Sequence, residues 1–161
     1  MIRLTILMLA LGLLAVQTPA LAAEQPTHLK LYTTQEKFDT VREDVEIAIT
    51  GRGLVIDHVS HIGPMLERTG KDIGASKKVF DKADALLFCS ASVSRHMMEA
   101  DPANIVFCPY GIVVYTLPQD PKTVYVGYRR PVSTTSGSSK AALKEVEDLL
   151  DGIVREALNI K

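Results

Sequence analysis

The stretch from Ala85 to Tyr115 concentrates the side chains whose chemistry could support a function. It holds the two cysteines of the chain, Cys89 and Cys108, each beside an apolar run, and a His-Met-Met triplet at positions 96–98 between them. Thiols form disulfides or bind soft metals, and imidazole combined with thioether suits copper or a haem iron. These residue types therefore predict a cross-link or a ligand site in this part of the chain.

Two further histidines, His58 and His61, follow Asp57 in the segment Leu54–His61. A nearby carboxylate matters because a metal-bound imidazole normally donates its other ring N–H to such an acceptor. In a regular strand His58 and His61 point to opposite faces, so they share a ligand only if the strand ends or bulges near Ser60. The candidate haem-binding residues are therefore His58, His61, His96 and Met97, and the candidate metal ligands are His58, His61, His96 and Met98.

Each candidate ligand also has a plainer interpretation. His58 can be a half-buried strand histidine that is hydrogen-bonded to a neighbour. In a helix, successive residues are about 100° apart, so the three side chains at positions 96–98 cannot share one ligand face, and one methionine would simply pack in the core. The chain has no C-x-x-C-H motif, so any haem would be held without that covalent attachment.

The cysteine pair predicts a disulfide, because an even cysteine count is typical of exported domains with structural cross-links. Closing a loop of about 20 residues between Cys89 and Cys108 would stabilise the fold by roughly 3 kcal/mol in the chain-entropy model. The alternative is a pair of free thiols that bind a metal or serve as a redox centre. A cysteine nucleophile would need a free thiolate, and no G-x-S-x-G motif surrounds Ser90 to Ser94, so no catalytic residue is predicted.

The first 22 residues have the layout of a secretory signal peptide. Arg3 precedes an apolar run over Leu4–Val16, and the segment ends in the small-residue pattern Ala20-Leu21-Ala22. The run of about 13 residues is shorter than the roughly 20 that a membrane-spanning helix needs. We expect a periplasmic or secreted protein that is not embedded in the membrane after cleavage, and a retained membrane anchor is the alternative.

Charge argues against a nucleic-acid partner. The full chain carries 18 basic and 19 acidic residues, and removal of the signal peptide takes away only Arg3. A phosphate-binding surface needs a basic excess or stripe, and neither is present. Residues 28–158 are long enough for one domain with its own core.

The hydrophobic patterning predicts an α+β domain: a single compact unit with a mixed or antiparallel sheet, helices packed on one face, and the order β-α-β-β-α-β-β-α. Pro109 and Gly111 interrupt the second-last run of strand residues, which predicts a bulge or an edge position there. The expected helix N-caps are Thr34 and Ser92. In chain order we expect a strand at 28–33, a helix to Gly51 and a strand at 54–61, followed by a loop at 62–76 with at most a short helix around Met65–Arg68. Next we expect a helical turn at 77–82, a strand at 85–90, a helix at 93–100, a hairpin of strands at 105–117 and 122–129, and a helix at 140–158.

Several short segments occur in an order that resembles the domain of unknown function 302 family. They are Asp57-His58, Phe88-Cys89, Asp101-Pro102, Cys108-Pro109 leading into Ile112–Tyr115, and the strand Val124–Pro131 that ends in Arg-Arg-Pro. The resemblance covers roughly Leu29–Pro131. It implies a compact sheet with helices on one side, often paired as a homodimer, and no established reaction. The cysteine pair, the His-Met-Met triplet and the export signal depart from the commoner members, which points to an extracytoplasmic subgroup with its own ligand.

These observations lead to one favoured function and two alternatives. The favoured prediction is a periplasmic, non-enzymatic binding or accessory protein in a redox or respiratory context, homodimeric, whose ligand is non-covalent haem or a transition metal such as copper. The first alternative is a thiol-disulfide redox protein that uses Cys89 and Cys108 with a periplasmic redox partner. The second is a homodimeric interaction module without a ligand.

Overall fold

The computed structural model describes residues 28–132 and 137–161. The predicted signal peptide, residues 1–22, lies outside these ranges. Within them, no helix has the length and the apolar composition that crossing a membrane requires. The elements in chain order are β1 (Leu29–Thr34), α1 (Phe38–Thr50), β2 (Val55–Ser60), α2 (Ile62–Asp72), β3 (Lys82–Cys89), α3 (Ala91–Ala100), a 3₁₀ helix (Pro102–Phe107), β4 (Tyr110–Leu117), β5 (Asp120–Arg129) and α4 (Gly137–Ala157).

The five strands form one sheet in the order β1-β5-β4-β3-β2, and every neighbouring pair is antiparallel. This confirms the predicted α+β class and the predicted order β-α-β-β-α-β-β-α, to which the structure adds the helix α2 and the 3₁₀ helix. Of the two predicted sheet types the structure has the antiparallel one. Strands β4 and β5 are joined by the predicted hairpin and lie inside the sheet. The predicted edge position for the strand that follows Pro109 is therefore wrong, because β4 pairs on both sides, with β3 and with β5.

One face of the sheet is buried under α1 and α4. Alternate residues of β4, namely Tyr110, Ile112, Val114 and Thr116, are buried, whereas the residues between them remain partly exposed. This is the period of two that a strand with one covered face requires. The helices bury the apolar stripes that their periodicity predicted: Val41, Val45, Ala48 and Ile49 in α1, and Leu143, Val146, Leu150, Ile153 and Val154 in α4.

The prediction of a loop over residues 62–76, with at most a short helix around Met65–Arg68, was wrong, because the helix α2 extends over Ile62–Asp72. Gly63 and Pro64, at the beginning of this helix, do not break it. Pro64 lies in the first turn, where its missing N–H leaves no hydrogen bond unmade. Gly63 lies so close to β3 that a Cβ there would be 3.0 Å from the backbone nitrogen of Ala83. The glycine therefore lets α2 pack against the beginning of β3.

Three smaller predictions also fail. The helical turn over 77–82 is absent, since residues 75–80 have no regular structure and β3 begins at Lys82. Residues 102–107 form a 3₁₀ helix rather than the start of a strand, and β4 begins only after the cis peptide bond between Cys108 and Pro109. The N-caps are Lys37 and Ser90 instead of Thr34 and Ser92.

A carboxylate on α4 joins that helix to two strands. The phenol groups of Tyr32 in β1 and Tyr128 in β5 both donate hydrogen bonds to Asp151 Oδ1, at 2.6 and 2.9 Å. Burial raises the pKa of both tyrosines, and the hydrogen bond to Asp151 raises it further. Burial also acts to raise the pKa of Asp151, but the two phenol donors and the charges of Lys30 and Arg155 outweigh it and hold that pKa below 3.8.

Replacement of Asp151 by asparagine should destabilise the protein by about 1 kcal/mol at pH 7, because hydrogen bonds to an ionised acceptor are stronger than those to a neutral one. The folded-state pKa of Asp151 is lowered, so its stabilisation is present above about pH 4 and lost as the pH falls through the folded value. Thermal unfolding of the wild type and of Asp151→Asn from pH 7 to pH 2 should show the difference shrinking below about pH 4. Asp148→Asn, at an exposed position of the same helix, is the control. A difference that stays constant with pH would contradict this prediction.

Candidate functional site

A buried carboxylate, Asp84, lies at the centre of a charged cluster beneath α1. Asp84 is on the helix-covered face of β3, in register with Val114 of β4, and only 8% of its surface is exposed. A carboxylate removed from water must have hydrogen-bonding or charged partners. Two are present: Arg42 Nε of α1 lies 3.2 Å from Asp84 Oδ2, and His61 Nδ1 lies 2.9 Å from Asp84 Oδ1.

Three elements position these partners. Arg42 lies at the margin of the buried stripe of α1, and its guanidinium also contacts Glu46 at 3.1 Å, one turn along the helix. His61 is the N-cap residue of α2, where β2 ends, and its side chain makes no capping hydrogen bond. The ring is therefore free to turn toward β3, and the close packing of Gly63 against Ala83 sets the distance between α2 and that strand.

The contact with Asp84 determines which nitrogen of His61 remains available. When the carboxylate accepts a hydrogen bond from Nδ1–H, the neutral ring carries its lone pair on Nε2. The His61 side chain is 62% exposed, so Nε2 can be reached from solvent. A carboxylate behind an imidazole also makes the ring a stronger ligand. The dyad can therefore hold a metal or accept a proton at Nε2.

A small cavity of about 240 Å³ lies in front of the dyad. One wall is apolar and includes Phe38 and Pro64, and Lys82 lies at the rim, with its Nζ 5.1 Å from the centre of the Phe38 ring and 2.8 Å from Asp39 Oδ2. None of the described residues that line it carries a hydroxyl or thiol that His61 could activate as a nucleophile. The lining residues are Phe38, His61, Gly63, Pro64, Glu67, Asp81, Lys82, Ala83 and Asp84.

The other candidate histidines lie on different elements and have different neighbours. His58 is exposed on β2, opposite Leu87 of β3. The strand ends at Ser60, as sharing of a ligand with His61 would require, and its register shifts between Ile56 and His58. His96 is exposed on α3, and its Nδ1 lies 3.5 Å from Glu145 Oε2 of α4. Across residues 28–132 and 137–161 no three His, Cys, Asp or Glu side chains are grouped to hold a metal ion.

The two methionines of the triplet face inward. Met97 is completely buried in the core, and Met98 packs against that core while remaining partly exposed. Both positions agree with the plainer interpretation, in which methionine fills the core. Ligation by Met97 or Met98 stays an untested prediction.

Cys89 and Cys108 lie at disulfide distance, with their Cα atoms 6.5 Å apart. Cys89 is the last residue of β3, and Cys108 precedes β4, the neighbouring strand. Beside the pair, Ser94 Oγ of α3 lies 3.8 Å from Cys108 Sγ and 2.8 Å from the phenol oxygen of Tyr110. Both sulfur-bearing residues are partly exposed.

Two members of the His61 cluster, Asp84 and Arg42, were not among the predicted site residues. The sequence does contain a signal for Asp84. It is a carboxylate inside the otherwise apolar run Ala83–Cys89. In a strand it lies on the same face as the core residues Leu86 and Phe88, which follow it at intervals of two. An acidic residue on a buried strand face is rare unless it is paired, so it points to a partner. Nothing local identifies that partner as Arg42 or His61.

Comparisons with known proteins agree with this fold. The family model described as "Domain of unknown function DUF302" matches residues 31–157. Among solved structures, the chain is similar to the crystal structure of an uncharacterized conserved protein DUF302 from Bacillus stearothermophilus, with a TM-score of 0.69 and 13% sequence identity over 82% of this chain and 99% of that one. No curated protein matches the chain. Because the family model covers most of its length, this chain belongs to the family of the domain of unknown function DUF302.

Proposed function

We propose that this protein is a non-enzymatic binding protein of the periplasm in which His61 ligates a metal centre, either a haem iron or a transition-metal ion such as copper. The observation that carries the proposal is the 2.9 Å contact between His61 Nδ1 and Asp84 Oδ1. It orients the ring and leaves Nε2 accessible, which is the arrangement of a metal-bound histidine and its supporting carboxylate.

The surroundings favour binding over catalysis. Nucleophilic catalysis would need a side chain that His61 could activate, and the described residues of the cavity lining offer neither a hydroxyl nor a thiol. Besides the His61 nitrogen, the lining contains a carboxylate, Glu67, that can serve as an oxygen ligand. His61 and Glu67 would leave several coordination positions to solvent or to a donor from another molecule.

Haem and a bare metal ion make different demands on the same histidine. A haem iron needs only one or two axial ligands from the protein, so a single oriented imidazole is enough. The cavity of about 240 Å³ is smaller than the roughly 300–1,000 Å³ of typical organic-ligand pockets, so a porphyrin would lie across its mouth. There Phe38 offers an apolar contact and Lys82 a positive charge for a propionate group. A copper ion would fit inside.

Absorption spectroscopy during titration with haemin, and separately with Cu²⁺, tests this proposal. Whichever of the two ligands the wild type binds, we expect His61→Ala to lower the affinity for it at least tenfold. Asp84→Asn should lower that affinity by about 10- to 100-fold, the range found when a supporting carboxylate is lost. A Soret shift without copper binding identifies haem as the ligand, and the converse result identifies the ion. Circular dichroism should show that Asp84→Asn remains folded, because the amide oxygen of the asparagine can still accept a hydrogen bond.

His96→Ala is the matched control, since His96 is 63% exposed and also has a carboxylate neighbour, Glu145. It should bind like the wild type, and so should His58→Ala. Loss of binding in His96→Ala with full binding in His61→Ala would move the site to α3 and overturn the assignment. A protein that binds neither haemin nor copper would remove the metal proposal and leave the ligand-free interaction module.

We also propose that the protein is a homodimer that pairs through the uncovered face of its sheet. On this face, Tyr115 of β4 and Tyr125 of β5 stack with their ring centres 4.9 Å apart, and Phe80 packs edge-on against Tyr115 at 5.3 Å. Val113 and Leu117 are also partly exposed there. At the described positions of β1, β3, β4 and β5 that face this side, the charged residues are Arg129 and Asp120, each at a strand end. A nearly uncharged, apolar face can meet its own copy without repulsion.

Size-exclusion chromatography with light scattering should give twice the monomer mass at micromolar concentration. Val113→Lys should shift the protein to the monomer, because it places a charge at the middle of the interface. Ile47→Lys, at a site on α1 that is 57% exposed, should leave the dimer intact. A monomeric wild type, or a dimer that survives Val113→Lys, would contradict pairing through this face.

We propose that the chain is exported and cleaved after Ala22. The layout of residues 1–22 supports this, and so does a cysteine pair at disulfide distance, which is typical of proteins in oxidising compartments. Intact-mass analysis of protein released from the periplasm should give a chain that begins at Ala23. Material found in the cytoplasm with Met1 still present would rule out export.

A further inference from the structure

The cysteine pair lies in surroundings that a purely structural cross-link does not need. Strands β3 and β4 already form a continuous antiparallel ladder from Lys82↔Thr116 to Phe88↔Tyr110, directly beside Cys89. The segment between the cysteines is also anchored elsewhere, because the buried Asn104 donates hydrogen bonds to Met97 O and Ser139 Oγ, both at 2.9 Å. The two sulfur atoms are therefore held close together whether or not they are bonded.

We propose that Cys89 and Cys108 form an exchangeable disulfide that a dithiol protein reduces at the surface of the folded molecule. The fold keeps the two thiols close together after reduction, so the bond can open and close without unfolding. This function goes beyond ligand binding at His61.

Cys108 has the features of the leaving group. Burial raises the pKa of Tyr110, so its phenol stays protonated and can donate to Ser94 Oγ across 2.8 Å. The Ser94 hydroxyl is then free to donate to Cys108 Sγ, 3.8 Å away. A hydrogen bond to a developing thiolate stabilises it and makes it leave faster. Cys89, opposite the exposed Val55 of β2, is the sulfur that a partner can attack.

The reaction is a two-electron exchange. A thiolate of the partner attacks Cys89 Sγ, a mixed disulfide forms, and the bond to Cys108 breaks with release of the Cys108 thiolate. The second thiol of the partner then attacks the sulfur of the partner's first cysteine in the mixed disulfide, and Cys89 is released as a thiolate. The partner ends oxidised, and its two protons end on Cys89 and Cys108.

The surface around the pair fits a protein reductant. Val55 is 72% exposed, Ile105 59% and Val106 67%. Val55 pairs with Cys89 in the sheet, the Cys108 amide donates to Ile105 O at 3.0 Å, and Val106 follows Ile105 in the 3₁₀ helix. Exposed apolar side chains grouped around a reactive bond mark a place where another protein docks. A dithiol protein is the occupant because the bond at the centre of this patch is the group it reduces.

Equilibration with mixtures of reduced and oxidised glutathione is the first test. We expect both the disulfide and the dithiol form to be populated within the range of these mixtures, and the dithiol form to keep a cooperative thermal transition. Structural disulfides resist reduction by glutathione. A bond that stays oxidised in every mixture, or a protein that unfolds when it is reduced, would overturn the proposal.

The role of Ser94 is tested by the rate of reduction with dithiothreitol. Ser94→Ala should slow this reaction by about tenfold, because the leaving thiolate loses its donor. Ser94→Thr should restore the rate, since it keeps the hydroxyl. Ser92→Ala, at an exposed site on the same helix, is the control and should react like the wild type. Equal rates for Ser94→Ala and the wild type would remove the assignment of Cys108 as leaving group.

Docking is tested by comparing a protein reductant with a small one. Ile105→Lys should slow reduction by thioredoxin, a dithiol protein, by at least tenfold and leave reduction by dithiothreitol unchanged. Ile73→Lys, at the C-cap of α2 where the residue is 80% exposed, should affect neither reaction. A thioredoxin whose second active-site cysteine is replaced by serine should be trapped by the oxidised protein as a mixed disulfide at Cys89, because no second thiol remains to release it. Failure to trap that species, or equal slowing of both reductants, would contradict docking at this surface.

Discussion

Burial of one face of the five-stranded sheet under α1 and α4 is the constraint on which the rest of the structure depends. It sets the alternation along β4 and β5, and it places Asp84 beneath α1 with little access to bulk water. The cost of burying that charge is met by Arg42 and His61, so the core of the fold itself orients the imidazole. The same constraint leaves the other face of the sheet, with the stacked Tyr115 and Tyr125, partly exposed.

Strand β3 links both candidate sites. Asp84 lies near its start and Cys89 at its end, so one rigid, doubly paired strand fixes a carboxylate on one side and a sulfur on the other. Side chains on an interior strand move less than those on loops, which suits a ligand geometry and a recurring disulfide alike. The partners at both sites come from helix beginnings, His61 at α2 and Ser94 in the first turns of α3, which are segments that the strands hold in place.

The sequence predicts the parts of this arrangement that depend on local patterns. The stripe of α1 that begins at Val41 and the stripe of α4 around Val146 have helical periodicity, and the cysteine count predicts the pairing of Cys89 with Cys108. The sequence does not predict the full helix α2, because Gly63 is required by a close tertiary contact with Ala83 and not by a local turn. The link from His61 to Asp84 spans 23 residues and requires the strand register, which no local pattern contains.

The spacing along β3 also separates the two sites energetically. Five residues of extended strand span roughly 17 Å, which exceeds the screening distance of about 8–10 Å for exposed charges at moderate salt. A positive charge bound at His61 would therefore change the thiolate chemistry of Cys108 very little by direct electrostatics. Any coupling between the two would have to travel through β3 itself, whose pairing with β2 and β4 resists small displacements. The geometry thus favours two activities on one rigid scaffold over a single redox-controlled binding site.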